Sequence, residues 1–242
     1  MIRNVHVFTN VTENIRTHRT IKETISSFIS RFGGDFLFTI WCDVHPNEKL
    51  EDIEFYFNYL KKEFPFAVVN KTQGMTKGYL QMLEQEKEEF VFILEHDWVL
   101  NEKIECTLKE VTETMKQDNL LSYCFARENN VIQRFKKDYL KASPHSFVRC
   151  GSTSYIKSYA YLTHPHVLSI PLFKKYFMKY LNKEIIGRGG IEQRLRDIDK
   201  KEPEVNMAIF GTYRGRIGSY HIDGLGGSER VFQSWDLINE GL

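Results

Sequence analysis

Strand-like and helix-like segments alternate through the first hundred or so residues of this chain. Short apolar runs typical of buried strands occupy residues 5–9, 36–42, 66–69 and 90–94. Between them, apolar side chains recur at helical spacing over residues 14–31, 48–62 and 74–87. Strands that alternate with helices are joined by right-handed crossovers. The pattern therefore predicts an α/β fold with a mostly parallel central sheet flanked by helices.

The second half of the sequence is less regular. Helices are predicted at residues 103–118, 172–181 and 191–199. Short apolar segments at residues 121–125 and 131–135 fit two further strands and a small antiparallel extension of the sheet. Because no linker or repeat interrupts the chain, we interpret residues 1–242 as a single domain.

Composition excludes several classes of protein. Lys+Arg 33 against Asp+Glu 32 leaves a net charge of +1, too little for a nucleic-acid-binding field. An aromatic content of 14% excludes a disordered chain and suits a thick core or a surface that binds sugars. The sequence has no apolar run near the ~20 residues of a membrane span, and its start lacks the apolar region of a secretory signal. We therefore expect no membrane span.

The four cysteines lie far apart and form no CxxC pair, which argues against a zinc ribbon or a disulfide framework. A reducing cytoplasm is the simplest compartment for such a chain, and for a viral protein this would be the cytoplasm of the host.

Polar residues follow three of the predicted strands. Thr9 and Asn10 end the first, Asp43 follows the second, and Glu95-His96-Asp97 follows the fourth. Parallel sheets bind ligands beyond the carboxyl ends of their strands, so these residues are expected to converge on one edge. Clustered carboxylates repel unless a cation lies between them, and Mg²⁺ or Mn²⁺ on a diphosphate would meet that need. The alternative is a solvated turn at the end of a strand.

Two residues late in the chain are further candidates. His221 lies in a Gly-rich segment and could complete a metal site, or could be a loop histidine bonded to backbone. Glu192 follows a double glycine at a predicted helix start, a suitable position for a general base. Glu192 could equally be an ordinary first-turn residue that improves helix capping.

His164-Pro165-His166 looks like a metal-binding pair, but the proline fixes an extended turn that splays the two rings. We interpret this segment as a structural or substrate-contacting loop. Several cations near strand ends could meet phosphates or could be surface charges: Arg16, Arg19, Lys77 and Arg188.

Motifs of other enzyme classes are missing from the sequence. It contains no GxxxxGK[ST], no GxGxxG after the first strand, no GxSxG and no HExxH. Phosphate-loop kinases, dinucleotide oxidoreductases, nucleophile-elbow hydrolases and zincins are therefore disfavoured.

Residues 71–100 resemble the centre of GT-A-fold glycosyltransferases, in which a Gly-led helix precedes an apolar strand and a DxD motif. Glu95-His96-Asp97 would be a variant of that motif. Gly189-Gly190-Ile191-Glu192 is similar to the segment that supplies the base in inverting members, and residues 220–224 resemble the late segment with a metal-binding histidine. The resemblance covers nearly the whole chain and is closest to compact transferases related to the inverting family 2, many of them bacterial or viral.

The resemblance implies transfer of a hexosyl or deoxyhexosyl group from a nucleotide-sugar donor to a hydroxyl of a carbohydrate or glycoconjugate acceptor. Residues 1–100 would form the nucleotide-sugar-binding half, and residues 101–242 the acceptor-binding half. The implied donor-binding residues are Thr9, Asn10, Asp43, Lys77, Glu95 and His96. The acceptor would meet Trp98, His164 and Arg188, Asp97 and His221 would bind Mn²⁺ or Mg²⁺, and Glu192 would be the base.

Two alternatives belong to other classes. A non-catalytic glycan- or nucleotide-binding protein would keep Thr9, Asn10 and Asp43 without needing Glu192 or the metal. A sugar nucleotidyltransferase would also place acids beyond a parallel sheet, but such enzymes usually carry a Gly-rich basic loop after the first strand, and residues 9–16 contain no glycine.

Overall fold

Strands and helices alternate strictly through the first part of the chain, as the apolar pattern predicts. The computed structural model describes residues 2–11, 15–44, 48–125, 147–150, 153–158, 161–181, 191, 195, 201–210 and 218–222. The first elements are β1 (Asn4–Asn10), α1 (Ile15–Phe32), β2 (Leu37–Asp43), α2 (Leu50–Glu63), β3 (Ala67–Thr72), α3 (Met75–Gln85) and β4 (Phe90–Glu95). Each of these lies within a few residues of its prediction.

Shorter elements make up the rest of the described chain. They are β5 (Trp98–Leu100), α4 (Leu108–Gln117), β6 (Leu120–Cys124), β7 (Phe147–Cys150), β8 (Thr153–Ser158), β9 (His166–Ser169), α5 (Ile170–Tyr176), a 3₁₀ turn (Met178–Tyr180), β10 (Asn206–Phe210) and β11 (Ser219–His221). Among the described residues, no helix is both long and apolar enough to cross a bilayer.

The strands form a nine-stranded sheet in the order β3-β2-β1-β4-β9-β6-β10-β8-β7 and a separate two-stranded sheet of β5 and β11. Strands β1 to β4, β6, β7 and β10 run in one direction, and β8 and β9 run the opposite way. The predicted mostly parallel sheet with a small antiparallel part is therefore confirmed.

Two apolar layers cover the faces of the large sheet. On β4, Phe92 and Leu94 pack into one layer with residues of α1, α2 and α4, whereas Val91 and Ile93 pack into the other with residues of α3 and α5. Because both faces are buried, the strand is continuously apolar rather than alternating. The sheet is thus sandwiched between helices, and its carboxyl edge is left for polar residues.

Some predicted boundaries were wrong. Helix α4 begins at Leu108 instead of residue 103, because Thr107 caps it: its hydroxyl accepts the Glu110 N–H, and the Glu110 carboxylate accepts the Thr107 N–H. The predicted helix at 172–181 divides into α5 and the 3₁₀ turn. The strand predicted at 131–135 and most of the helix predicted at 191–199 lie outside the described residues.

A buried polar network ties β1 to the end of α3. The indole N–H of Trp41 donates to Nδ1 of His6 at 3.1 Å. An indole N–H can only donate, so His6 carries its proton on Nε2, which donates to the Glu86 carboxylate at 2.8 Å. Asn4 and two backbone N–H groups also donate to Glu86. Burial raises the pKa of Glu86, but the hydrogen bonds from His6, the backbone and Asn4 outweigh it and lower the pKa to about 2.

This network predicts a pH-dependent stability. The folded-state pKa of Glu86 lies below its ordinary value of 4.5, so the ionised carboxylate stabilises the fold above about pH 4.5 and that stabilisation is lost as the pH falls towards 2. We expect Glu86→Gln to lower the free energy of unfolding by about 1–3 kcal/mol at neutral pH. The difference from wild type should shrink below about pH 4.5.

Urea denaturation at a series of pH values measures this difference. Glu84→Gln, which changes an exposed carboxyl in the last turn of α3, is the matched control and should shift stability by less than about 0.5 kcal/mol. A Glu86→Gln deficit that stays constant from neutral pH down to about pH 3 would contradict the assignment.

Candidate active site

The parallel register brings the polar strand ends to one edge of the sheet. Asn10 of β1 is level with Asp43 of β2, and Phe8 of β1 is level with Glu95 of β4. The exposed Asn10 and the half-buried Asp43 and Glu95 therefore lie along three neighbouring strand ends. The convergence expected from the sequence is observed for these three residues.

Asp43 connects the end of β2 to the start of α3. Its Oδ1 accepts the backbone N–H of Gly74 at 2.5 Å. Gly74 has a φ of +94°, a left-handed conformation that glycine adopts without strain, and α3 begins at the next residue. Lys77 lies in the first turn of α3. A helix N-terminus and a lysine at this edge both favour an anionic ligand.

The side chain of Thr9 turns away from that edge into the core. It is buried, and its hydroxyl lies 2.7 Å from the hydroxyl of Tyr56 on α2. Burial raises the pKa of Tyr56 far above its ordinary value, so the pair remains a neutral hydrogen bond. The donor-binding role of Thr9 stays a prediction, and the observed contact of its hydroxyl is with the supporting helix.

Glu95, His96 and Asp97 form the acidic turn between β4 and β5. The N–H of His96 donates to the carbonyl of Phe8 at 2.9 Å, and the carbonyl of His96 accepts the hydroxyl of Thr24 at 2.7 Å. The carboxyl-bearing side chains of the turn are half-buried. The acidic turn is therefore held by its backbone, while its carboxylates lie at the edge of the sheet.

Strand β11 brings a late part of the chain beside the acidic turn. It pairs antiparallel with β5, with His221 opposite Trp98, and the N–H of Ile222 donates to the carbonyl of Asp97 at 2.8 Å. The hydroxyl of Ser219 donates to the carbonyl of Phe125 at 2.5 Å, which fixes β11 to the end of β6. The backbone of His221 is thus adjacent in space to Asp97, as the predicted metal pair requires.

Trp98 and His164 lie against each other next to the turn. Trp98 is buried, and its ring centroid is 4.2 Å from that of the half-buried His164. The ring of His166, fully buried, makes a different contact: Nε2 lies 2.9 Å from the Tyr161 hydroxyl. The two histidine rings of this segment therefore serve separate contacts, in agreement with the splayed arrangement predicted from Pro165.

Two predicted site residues, Arg188 and Glu192, lie outside the described residues, so their roles as acceptor contact and base stay predictions. Within the described ranges, no group of three His, Cys, Asp or Glu side chains could hold a metal ion. Of the predicted ligands, the acidic turn contributes carboxylate oxygens, and β11 brings the backbone of a histidine next to it. This set of donors fits a hard divalent cation such as Mn²⁺ or Mg²⁺.

Thiol chemistry is disfavoured at this edge. Cys42 precedes Asp43 and is buried, and burial together with the negative charge of Asp43 raises the pKa of its thiol to about 12. A thiol that stays protonated at neutral pH is a poor nucleophile. The chemistry of the edge therefore depends on carboxylates and on groups that bind anions.

Sequence reasoning missed two hydroxyl residues of α1 that contact the turn region. Thr24 bonds to His96, and Ser27 accepts the N–H of Leu100 at 3.1 Å. Thr24 occupies the apolar stripe of α1 with Ile21 and Ile25, where a polar side chain needs a hydrogen-bond partner. That interruption of the stripe was the available signal.

No protein-family model matches this sequence, and no curated protein matches it significantly. Solved structures do match. S. aureus TarS 1-349 in complex with UDP-GlcNAc is 16% identical, with a TM-score of 0.52 over 98% of this chain and 65% of that one. GalNAc-T7 with UDP, GalNAc and Mn²⁺ is 12% identical, with a TM-score of 0.59 over 94% of this chain and 44% of that one. The chain spans 60% to 65% of the length of the matched TarS structures.

UDP-glucose pyrophosphorylase complexed with UDP-glucose also matches, at 9% identity and a TM-score of 0.53 over 98% of this chain and 100% of that one. At such identities a likeness establishes the fold. The chain therefore has a Rossmann-like GT-A fold, as the sequence resemblance implied, and this architecture is shared by sugar-transferring and nucleotidyl-transferring enzymes.

The contact between β11 and β6 leads to a prediction at Gly218. A β-carbon at this position would lie 2.8 Å from the Cα of Phe125, closer than packed atoms allow. We expect Gly218→Ala to lower the free energy of unfolding by about 1–3 kcal/mol through overpacking.

Gly34→Ala is the matched control, because its β-carbon would meet Ile29 at an ordinary 3.9 Å. Urea denaturation of both variants compares the two sites. Equal stability of the two variants would show that β11 does not lie against Phe125.

Proposed function

We propose that this protein is a metal-dependent glycosyltransferase that moves a sugar from a nucleotide-sugar to a hydroxyl of a carbohydrate or glycoconjugate, with inversion. One observation carries the proposal: the acidic turn, the Asn10–Asp43 pair and the start of α3 share one sheet edge, and β11 brings His221 to the same edge. Such an edge offers separate places for a nucleoside, a diphosphate and a cation.

The nucleoside would bind at the ends of β1 and β2. Asn10 supplies an exposed amide, and Asp43 supplies a carboxylate whose orientation is fixed by Gly74. Lys77 and the N-terminus of α3 would meet the phosphates, because both carry positive charge. His96, whose backbone is held at the adjacent strand end, completes the donor side of the proposed site.

Asp97 and His221 would hold Mn²⁺ or Mg²⁺, and Glu95 would approach the ribose, the donor sugar or the cation through water. When bound, the cation would neutralise the charge that develops on the departing diphosphate. Support for this assignment comes from the hydrogen bond between Ile222 and Asp97, which joins the two ligand-bearing segments. GalNAc-T7, with a similar fold, was crystallised with Mn²⁺.

Glu192 would remove the proton from the acceptor hydroxyl, which then attacks the anomeric carbon from the face opposite the diphosphate. Trp98 and His164, whose rings lie against each other beside the acidic turn, would border the acceptor with Arg188. The inverting outcome follows from this single proposed base.

The donor is proposed to be a UDP-sugar. TarS and GalNAc-T7 were crystallised with UDP-GlcNAc and UDP, respectively. The second candidate function is nucleotidyl transfer, supported by the full-length match to UDP-glucose pyrophosphorylase. The two reactions differ in product: glycosyl transfer releases UDP, whereas the pyrophosphorylase-type reaction releases pyrophosphate from UTP and a sugar phosphate.

We expect release of UDP from at least one UDP-sugar in the presence of Mn²⁺, including slow hydrolysis without acceptor. Asp97→Asn should lower that rate about 10²-fold or more, since stabilisation of the leaving group by a metal contributes several kcal/mol. Glu102→Gln, an exposed acid just beyond the turn, is the control and should retain full activity. The measurement is a coupled assay for nucleoside diphosphate over a donor panel.

Three outcomes of these assays would count against the proposal or against its metal assignment. Release of pyrophosphate from UTP and a sugar phosphate would establish the nucleotidyl-transfer alternative. Binding of UDP without turnover of any donor would favour the non-catalytic binding protein. Full metal-dependent activity of Asp97→Asn would refute the metal assignment.

A base variant gives a separate prediction. Glu192→Gln preserves shape but removes the proton acceptor, and general-base catalysis contributes typically 10²–10⁴-fold. We expect kcat to fall by about that factor, with KM for the donor nearly unchanged, in steady-state kinetics with a glycan acceptor. If Glu192→Gln instead slowed donor hydrolysis and weakened UDP binding by the same factor, Glu192 would have a structural role.

A further inference from the structure

We infer that Thr24 of α1 is a positioning residue for the acidic turn, acting through the backbone carbonyl of His96. The inference rests on the proposed function, because the turn is where that function assigns the cation and the diphosphate. Thr24 has no exposed surface, and so it acts on the ligand site through the turn rather than by contact with a substrate.

The backbone of the turn is bonded on both sides of Asp97. Before it, the N–H of His96 donates to Phe8 at 2.9 Å and the carbonyl of His96 accepts from Thr24 at 2.7 Å. The carbonyl of Asp97 itself accepts the N–H of Ile222 at 2.8 Å. With both carbonyls held, the peptide planes flanking Asp97 are fixed, and so is the direction in which its Cα presents the carboxylate.

Thr24 differs from an ordinary helical threonine in the partner of its hydroxyl. A buried helical hydroxyl commonly bonds to a carbonyl of its own helix, as Thr112 does with Lys109 at 2.9 Å. The hydroxyl of Thr24 instead reaches a carbonyl 72 residues later in the chain. Without that acceptor, a valine would suit this apolar position better, because burying an unpaired hydroxyl is costly.

Ser27 extends the same connection one turn further along α1. Its hydroxyl donates to the carbonyl of Thr24 at 2.8 Å, and its oxygen accepts the N–H of Leu100 at 3.1 Å. Thr24 and Ser27 therefore hold the segment from His96 to Leu100 at two points. One face of α1 thus determines where the turn and β5 lie relative to the sheet.

The test compares Thr24→Val, which removes the hydroxyl and keeps the shape, with Thr24→Ser, which keeps the hydroxyl. Thr112→Val is the matched control: another buried helical threonine whose hydroxyl bonds within its own helix. Isothermal titration calorimetry with UDP and MnCl₂ gives Kd, and amide hydrogen exchange of Leu100 and Ile222 reports on the turn without ligand. Steady-state kinetics give kcat and KM.

We expect Thr24→Val to weaken the binding of UDP in the presence of Mn²⁺ about 10-fold or more, the usual loss when a residue that orients a metal ligand is removed. Thr24→Ser should restore binding to within about threefold of wild type, since it restores the hydrogen bond. Of the three variants, only Thr24→Val should show faster amide hydrogen exchange at Leu100 and Ile222. Thr112→Val can lower stability but should leave Kd and this exchange unchanged.

Wild-type affinity for UDP and Mn²⁺ in Thr24→Val, or an equal loss in Thr112→Val, would overturn the inference while leaving the proposed function intact. A wild-type protein that binds no UDP with Mn²⁺ would overturn the proposed function and the inference with it.

Discussion

Strand β1 pairs with a parallel neighbour on each side and is buried on both faces. The positions of the candidate site residues depend on the register of these two pairings. Val5 and Val7 point into one apolar layer, whereas His6 and Phe8 point into the other. A slip of one residue would exchange the faces and move His6 away from Trp41 and Glu86 into the other apolar layer. Because His6 has polar partners on one side only, the slip is strongly disfavoured. The levels of the strand ends are fixed as a result.

The sheet sets where the acidic turn begins, but a turn leaving a strand end can still take several paths. Helix α1 selects one of them through Thr24 and Ser27, and β11 adds a hydrogen bond from the opposite end of the sequence. These contacts are neutral hydrogen bonds rather than ion pairs. The backbone geometry of the turn therefore survives changes of salt that would weaken a surface salt bridge.

The sequence predicted the first part of the fold well because each element there is long enough to show its own period. The short β5 and the later strands β7 to β11 were missed: they are three to six residues long, and most of them pair with partners far away in the chain. The polar residues at the strand ends could be predicted because the strands themselves, and therefore their ends, could be predicted. For Thr24, the interrupted apolar stripe indicates only that its hydroxyl needs an acceptor; that this acceptor is the distant carbonyl of His96 is known from the structure alone.

The fold is shared with a pyrophosphorylase, so the distinction between the two chemistries has to come from the edge itself. Nucleotidyl transfer develops charge on a departing pyrophosphate, which calls for donors of positive charge close to the first strand. Here the residues that join β1 to α1 contain no glycine, and the first cation after β1 is Arg16 in the first turn of α1. Lys77 and the start of α3 lie beyond β3 and next to Asp43. The carboxylates instead lie beyond β4, where β11 approaches. This separation of positive and negative groups supports the proposed sugar transfer, in which a nucleoside diphosphate would lie between α3 and a cation at the acidic turn.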